Sequence, residues 1–188
     1  MKTKMNLKKI VREAILKKRD KIYEFGCVMV NLNVDEQSWN QLQKMIDEDD
    51  IYFGTKDDTG YGRELDPHVT ALYGIHSDVP DEDVETIIDS FKTPKISLKK
   101  VSSFKNENFD VLKFDVDSED MHVMNKMLKE LPHTTQFPNY HPHATICYLK
   151  SGMADKYIKK MSDIEPISVM PEKVIYSKSD GSKKKYNL

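Results

Sequence analysis

The sequence predicts an α+β fold in which one strand–helix pattern is written twice, and three observations carry that prediction. Apolar runs with the period-2 alternation of strands are interleaved with segments of helical periodicity. The order strand, helix, loop, strand, helix, strand runs through residues 25–104 and again through 109–179. In each copy the strand after the loop opens on the same tripeptide pattern, His68-Val69-Thr70 and His143-Ala144-Thr145.

In chain order, residues 5–20 place Leu7, Ile10, Val11, Ala14 and Ile15 on one helical face with basic residues elsewhere. The bland role for such a segment is a packing helix with a solvated back. We treat residues 1–21 as an N-terminal helical extension and 22–188 as one domain, with halves at roughly 22–105 and 106–188. FGCVMVNLN (25–33) reads as a buried strand, and 35–50 as a helix with Asp35 or Ser38 as N-cap. A loop over 54–66 precedes the strand 68–75. Pro80 and the acids after it open a helix through Phe91, and 95–104 closes the first copy as a strand. In the second copy, 109–116 alternates as a strand, 118–131 is a helix capped by Ser118, and 132–142 is a loop. The strand 143–149, a helix over 154–161 and a strand-rich stretch at 167–179 follow, and KKKYNL adds an edge strand.

Composition bounds the function. At 188 residues the chain can bury one ordinary core. Its 29 basic and 31 acidic side chains leave a formal charge of −2, which argues against a stable complex with long nucleic acid. Cys27 and Cys147 both lie in apolar strand-like runs, so free buried thiols are expected, with a single disulfide left open. No apolar run approaches a membrane span, and residues 2–21 lack the apolar stretch of a signal peptide. The expectation is a cytoplasmic monomer without membrane contact.

Side chains alternate along a strand, so the His and Thr of each motif share a face while Val69 and Ala144 point away. If the copies pack about a pseudo-twofold axis, two imidazoles and two hydroxyls meet in one cleft. That set suits phosphodiester chemistry. In-line displacement needs a base for the incoming oxygen and an acid for the leaving oxygen, and histidine can serve as either near neutral pH. The threonine hydroxyls can donate to non-bridging oxygens. One His-x-Thr means little by itself. Two in matched slots, each after a proline (Pro67, Pro142) and before an apolar run, are poorly explained by chance.

PHVTALYG and PHATICYL resemble the two signature strands of the two-histidine (2H) phosphoesterase superfamily, over most of the chain from about residue 22. Within it, GYGRELDPHVTALYGIH, FDVLKF and NYHPHATICYLK look most like the phage anti-CBASS nucleases, which degrade the cyclic nucleotides of bacterial CBASS defence. The resemblance implies a bilobal fold around a central cleft, with His68 and His143 as acid/base pair and Thr70 and Thr145 on the phosphate. It also implies metal-independent cleavage of a 3′–5′ bond in a cyclic oligonucleotide, by the ribose 2′-OH through a 2′,3′-cyclic intermediate, and no cofactor. Which histidine is acid and which is base stays open.

Other residues stand as candidates beside the motifs. His141 and His143 have a metal-ligand spacing, but Pro142 between them suits a paired strand poorly, and His141 reads better as a loop residue near the cleft mouth. Tyr61 and Arg63 are candidates for stacking on a base and meeting a phosphate. Phe104 is a candidate base contact, and Glu172 a candidate partner for a guanine edge. Trp39 and Phe109 are expected in the core, the lysines at 178 and 183–185 in solvent, and His76, His122 and His133 outside the chemistry. Two other functions compete. One is RNA-end processing of 2′,3′-cyclic phosphates or 2′–5′ linkages, and the other is a sponge that binds cyclic nucleotides without cutting them.

Overall fold

The computed structural model describes residues 25–55 and 60–188. The helical extension expected over 5–20 therefore lies outside the described residues. Among those described, seven strands and four α-helices alternate: β1 (Gly26–Asn33), α1 (Glu36–Lys44), β2 (His68–Ile75), α2 (Asp81–Asp89), β3 (Ile96–Lys105), β4 (Phe109–Asp117), α3 (Glu119–Leu128), β5 (His143–Lys150), α4 (Ala154–Lys160), β6 (Ile167–Ser177) and β7 (Lys183–Asn187). The α+β class follows the pattern read from the sequence, and every strand pairing is antiparallel among the described residues.

The strands run in the order β1-β2-β5-β4-β3-β6-β7, and β6 also pairs with β1. Each half of the chain thus lends a strand to the other. β3 pairs with β4, whereas β6 leaves β3 after Val169 and runs along β1 from Met170 to Ser177. Pro171 lies where the β1–β6 register slips, a place where its missing N–H breaks no ladder. The join between β2 and β5 is narrow, a single register pair of Val69 with Ala144. Beyond that seam, each motif strand is flanked by the segment leading into the other motif: Arg63 bridges to Cys147, and His133 bridges to Ile75.

The helices form where caps and apolar faces predict them. Asp35 accepts from Ser38 N at 2.7 Å and Ser118 from Met121 N at 3.2 Å, each satisfying a donor that the first turn leaves orphaned. Helix α1 stops at Lys44, short of the expected residue 50, and a 3-10 turn takes up Glu48–Asp50. Arg63 explains the early stop, because its guanidinium donates to the carbonyls of Gln43 and Ile46 and to Glu48 Oε2. Those carbonyls no longer need continued helix.

Val28, Val30, Val69, Ala144, Leu112, Phe114, Met121, Met124 and Leu128 are among the buried residues between sheet and helices, and Trp39 joins them. Both cysteines are free. Gly74 is required where it stands. Its φ is +118°, and a Cβ there would come within 1.9 Å of the Thr134 carbonyl oxygen.

Candidate functional site

The seam at Val69 and Ala144 fixes the site. Both side chains are fully buried. The antiparallel direction sets His68 alongside Thr145 and Thr70 alongside His143, all four on the opposite face. The two imidazoles are close enough that a charge on His68 acts on His143. The two threonines take the other diagonal of the four positions.

Each imidazole is held in the same way. His68 Nδ1 donates to the Asp66 carbonyl at 2.9 Å, and His143 Nδ1 to the His141 carbonyl at 2.8 Å. A carbonyl only accepts, so Nδ1 carries the proton and Nε2 is left as the reactive nitrogen. Pro67 and Pro142 make this geometry local. A residue before proline is pushed to extended backbone, which turns the carbonyls of Asp66 and His141 back toward the rings. The prolines are anchored alike, since Leu32 N donates to Pro67 O at 2.9 Å and Val116 N to Pro142 O at 3.1 Å.

Buried helix amides complete the match. Gln43 of α1 donates to Ile146 O at 2.6 Å, and Asn125 of α3 to Ala71 O at 2.7 Å. Each acceptor stands three residues beyond a motif histidine. Five features thus come in pairs about the seam: histidine, threonine, carbonyl, proline and helix amide.

The strands outside the pair break the symmetry. On β1 the register partners of His68 and Thr70 are Asn31 and Met29. On β4 the partners of His143 and Thr145 are Asp115 and Lys113. Burial lowers the pKa of His143, the bond to the His141 carbonyl opposes that, and the Lys113 ammonium and His68 push it further down. Burial pulls Asp115 upward, but bonds from Lys113 and Ser102 outweigh it and hold the carboxyl below its ordinary range. Thr70 makes a side-chain hydrogen bond with Cys27, whose thiol burial pushes up to about 12. Tyr140 donates to the Thr70 carbonyl at 2.9 Å.

The other candidate residues scatter. Phe104 stands at the site, its ring meeting that of His143 edge to face with centroids 4.9 Å apart. His141 is exposed and supplies the carbonyl already described. Arg63 is engaged at the end of α1, beside Cys147 rather than beside the histidines. Tyr61 packs in an aromatic cluster with Tyr52, Phe109 and Tyr148 at the far end of β5. Glu172 is exposed on β6 and accepts from Lys173 Nζ at 3.0 Å. His76 meets Thr134 Oγ1 at 2.8 Å, His133 donates to Leu131 O at 2.8 Å, and the His122 ring rests on Tyr140. Among the described residues no group of three or more His, Cys, Asp or Glu side chains is arranged to hold a metal ion, and no helix is long and apolar enough to cross a membrane.

Sequence reasoning missed Lys113, Asp115, Ser102 and Asn31. A signal existed in FDVLKFDV, where a lysine and an aspartate two residues apart share one face of a strand otherwise rich in apolar residues. That this strand lies beside the second motif is a matter of topology, which the pattern does not state.

A comparison with solved structures finds Kluyveromyces marxianus Usb1, at 8% identity and a TM-score of 0.55, over 88% of this chain and 99% of that one. The same protein solved with uridine monophosphate aligns at 9% identity and a TM-score of 0.53, over 88% and 98%. At such identities the likeness is one of fold. No curated protein sequence matches the chain. The family model described as anti-CBASS protein Acb1 matches residues 27–180, which include both His-x-Thr strands and, but for Gly26, every strand except the last. The chain belongs to the anti-CBASS protein Acb1 family.

Proposed function

We propose that this chain is a phosphodiesterase that opens cyclic di- or trinucleotide signals at a 3′–5′ bond, using His68 and His143 for proton transfer, as a viral counter to CBASS signalling. The observation that carries the reading is the matched pair of imidazoles. Each has Nδ1 committed to a backbone carbonyl and Nε2 left to react, with a threonine hydroxyl beside each ring. Membership of an anti-CBASS family supports the substrate class.

One Nε2 takes the proton of a ribose 2′-OH as its oxygen attacks phosphorus, and the other Nε2 gives a proton to the departing O5′. Thr70 and Thr145 donate to the non-bridging oxygens, where charge is held through the transition state. The result is a 2′,3′-cyclic phosphate, which water then opens with the proton transfers reversed. Phe104, His141 and Glu172 are the residues proposed to meet the rest of the substrate, Phe104 with the best support because it touches His143, while Arg63 and Tyr61, held at the end of α1 and in the aromatic cluster, are left out of that set.

The test is a substrate panel in EDTA. Cyclic dinucleotides, cyclic trinucleotides, 2′,3′-cyclic nucleotides and 2′–5′ dinucleotides are incubated with the protein and with His68→Ala and His143→Ala. Cleavage of the cyclic oligonucleotides in EDTA, lost in both variants, is expected. Dependence on added metal, or survival of either variant, would sink the reading. Stoichiometric binding without turnover would turn it into a sponge, and turnover confined to the last two substrates into RNA-end processing.

A further inference from the structure

Lys113 is a charged side chain in a place where charge is costly. It is 4% exposed, on the strand beside the second motif, in register with Thr145. Its ammonium is fully engaged. Nζ donates to Asp115 Oδ1 at 2.5 Å and to Ser102 Oγ at 2.7 Å, and it lies 4.3 Å from the centroid of the Phe104 ring. Ser102 Oγ in turn donates to Asp115 Oδ1 at 2.6 Å. With all three donor directions occupied, Lys113 acts here as a fixed charge and not as a hand for phosphate. The Phe104 ring that receives the ammonium also meets the His143 ring edge to face. The chain Ser102–Asp115–Lys113–Phe104–His143 is therefore one packed unit.

The equivalent place on the other side of the seam holds Met29, and the equivalent of Asp115 is Asn31. His68 has no buried ammonium as its neighbour on β1. Glu64 Oε2 stands 4.0 Å from its Nδ1. The charged groups that act on His143 are Lys113 and Asp115 of β4 and His68 of β2, while Lys100 of β3 acts on Asp115. A fixed cation is the complement of a proton acceptor, and a nearby carboxylate is the complement of a proton donor.

We propose that Lys113 is the positioning residue that divides the labour between the two histidines, His143 accepting a proton in the first step and His68 donating its own. The inference rests on the phosphodiesterase reading for its chemistry. His143 Nε2 takes the proton of the 2′-OH while O2′ bonds to phosphorus. The P–O5′ bond breaks, and O5′ receives the proton of His68 Nε2. The products are a 2′,3′-cyclic phosphate and a 5′-hydroxyl, with His143 charged and His68 neutral. That is the protonation state needed for His68 to activate water in the second step and for His143 to return a proton to O2′.

Two experiments test this, and the first needs no substrate. NMR titration of the histidine rings in the unliganded protein should give His143 a midpoint below the ordinary value of about 6.5. The midpoint should rise in Lys113→Met, fall in Asp115→Asn and hold in Lys113→Arg. The acidic limb of kcat/KM should follow in the same directions, the rate on that limb changing about tenfold for every whole pH unit the midpoint moves. A purely structural role would not move Lys113→Met and Asp115→Asn oppositely. Should Lys113→Met fail to fold, Asp115→Asn and Lys113→Arg still decide, and a rise in the first or a displaced midpoint in the second overturns the proposal.

The second experiment uses a cyclic dinucleotide with sulfur in place of the bridging O5′, which leaves as a thiolate without needing a proton. Activity on it should return in His68→Ala to within about tenfold of wild type, since only a general acid is missing, and should stay low in His143→Ala. Rescue of His143→Ala instead reverses the roles and overturns the assignment. If wild-type protein cuts neither the all-oxygen cyclic dinucleotides nor the cyclic trinucleotides, the phosphodiesterase reading has failed, and the titration still decides what Lys113 does to His143.

Discussion

The His68 and His143 sides of the seam are copies in their backbone and strangers in their outer strands. Carbonyl, proline, threonine and helix amide recur on each side, which is what aiming two rings at one point requires. Asn31 and Met29 flank one ring, and Asp115 and Lys113 flank the other. A twofold arrangement alone would give two interchangeable histidines. The proposed displacement at phosphorus needs one of each kind, and on that proposal the difference between the flanking strands gives a symmetric scaffold its direction.

The largest effect should come from the shared features. His68→Ala and His143→Ala should each lower turnover by roughly 10²–10⁴-fold with little change in unfolding free energy, measured by steady-state kinetics beside denaturant melts. A variant that keeps more than a tenth of the activity would break the equivalence of the two rings.

Next come the glycines at the two places where a loop crosses a motif strand. Gly74→Ala drives a Cβ into the Thr134 carbonyl at 1.9 Å, whereas Gly62→Ala at φ +107° meets only the Phe53 ring at 3.4 Å. Denaturant melts should show a loss of roughly 3 kcal/mol or more for the first and about 1–2 kcal/mol for the second. Equal losses would mean that the two crossings are alike.

The buried amides sharpen the comparison further. Gln43 Nε2 serves both Glu64 O and Ile146 O, while Asn125 Nδ2 serves Ala71 O. Gln43→Leu should cost about 2–3 kcal/mol and Asn125→Leu about 1–2 kcal/mol, because each abandons buried carbonyls. The reverse order in melts would show that the two helices are not docked alike.

The smallest effect on the chemistry is expected from Arg63→Ala. It should cost about 1–2 kcal/mol by freeing the end of α1, and leave KM for a cyclic dinucleotide unchanged. A large rise in KM would restore Arg63 as a phosphate ligand.

Much of this was legible in the residues. The strands around both motifs, the caps at Asp35 and Ser118 and the facing of each His with its Thr follow from periodicity and local chemistry. The 3-10 turn after α1 was hidden because its cause, Arg63, lies 17–20 residues away from the carbonyls it takes. Lys113 was hidden for a related reason. A strand shows which of its residues share a face, but its neighbour is chosen by the chain as a whole, and here β4 could have paired on either edge. Arg63 and Tyr61 read as site residues because they precede the first motif closely in sequence. The segment carrying them instead runs along β5 away from His143.

The most direct test of the central claim is a cyclic dinucleotide with one ribose and one 2′-deoxyribose, digested in EDTA and analysed by mass spectrometry. Two histidines working on an internal 2′-OH should cut only the linkage 3′ to the ribose, giving a linear product that ends in a 2′,3′-cyclic phosphate and then a 3′-phosphate. Equal cutting of both linkages, or no cutting until a metal is added, would contradict the account.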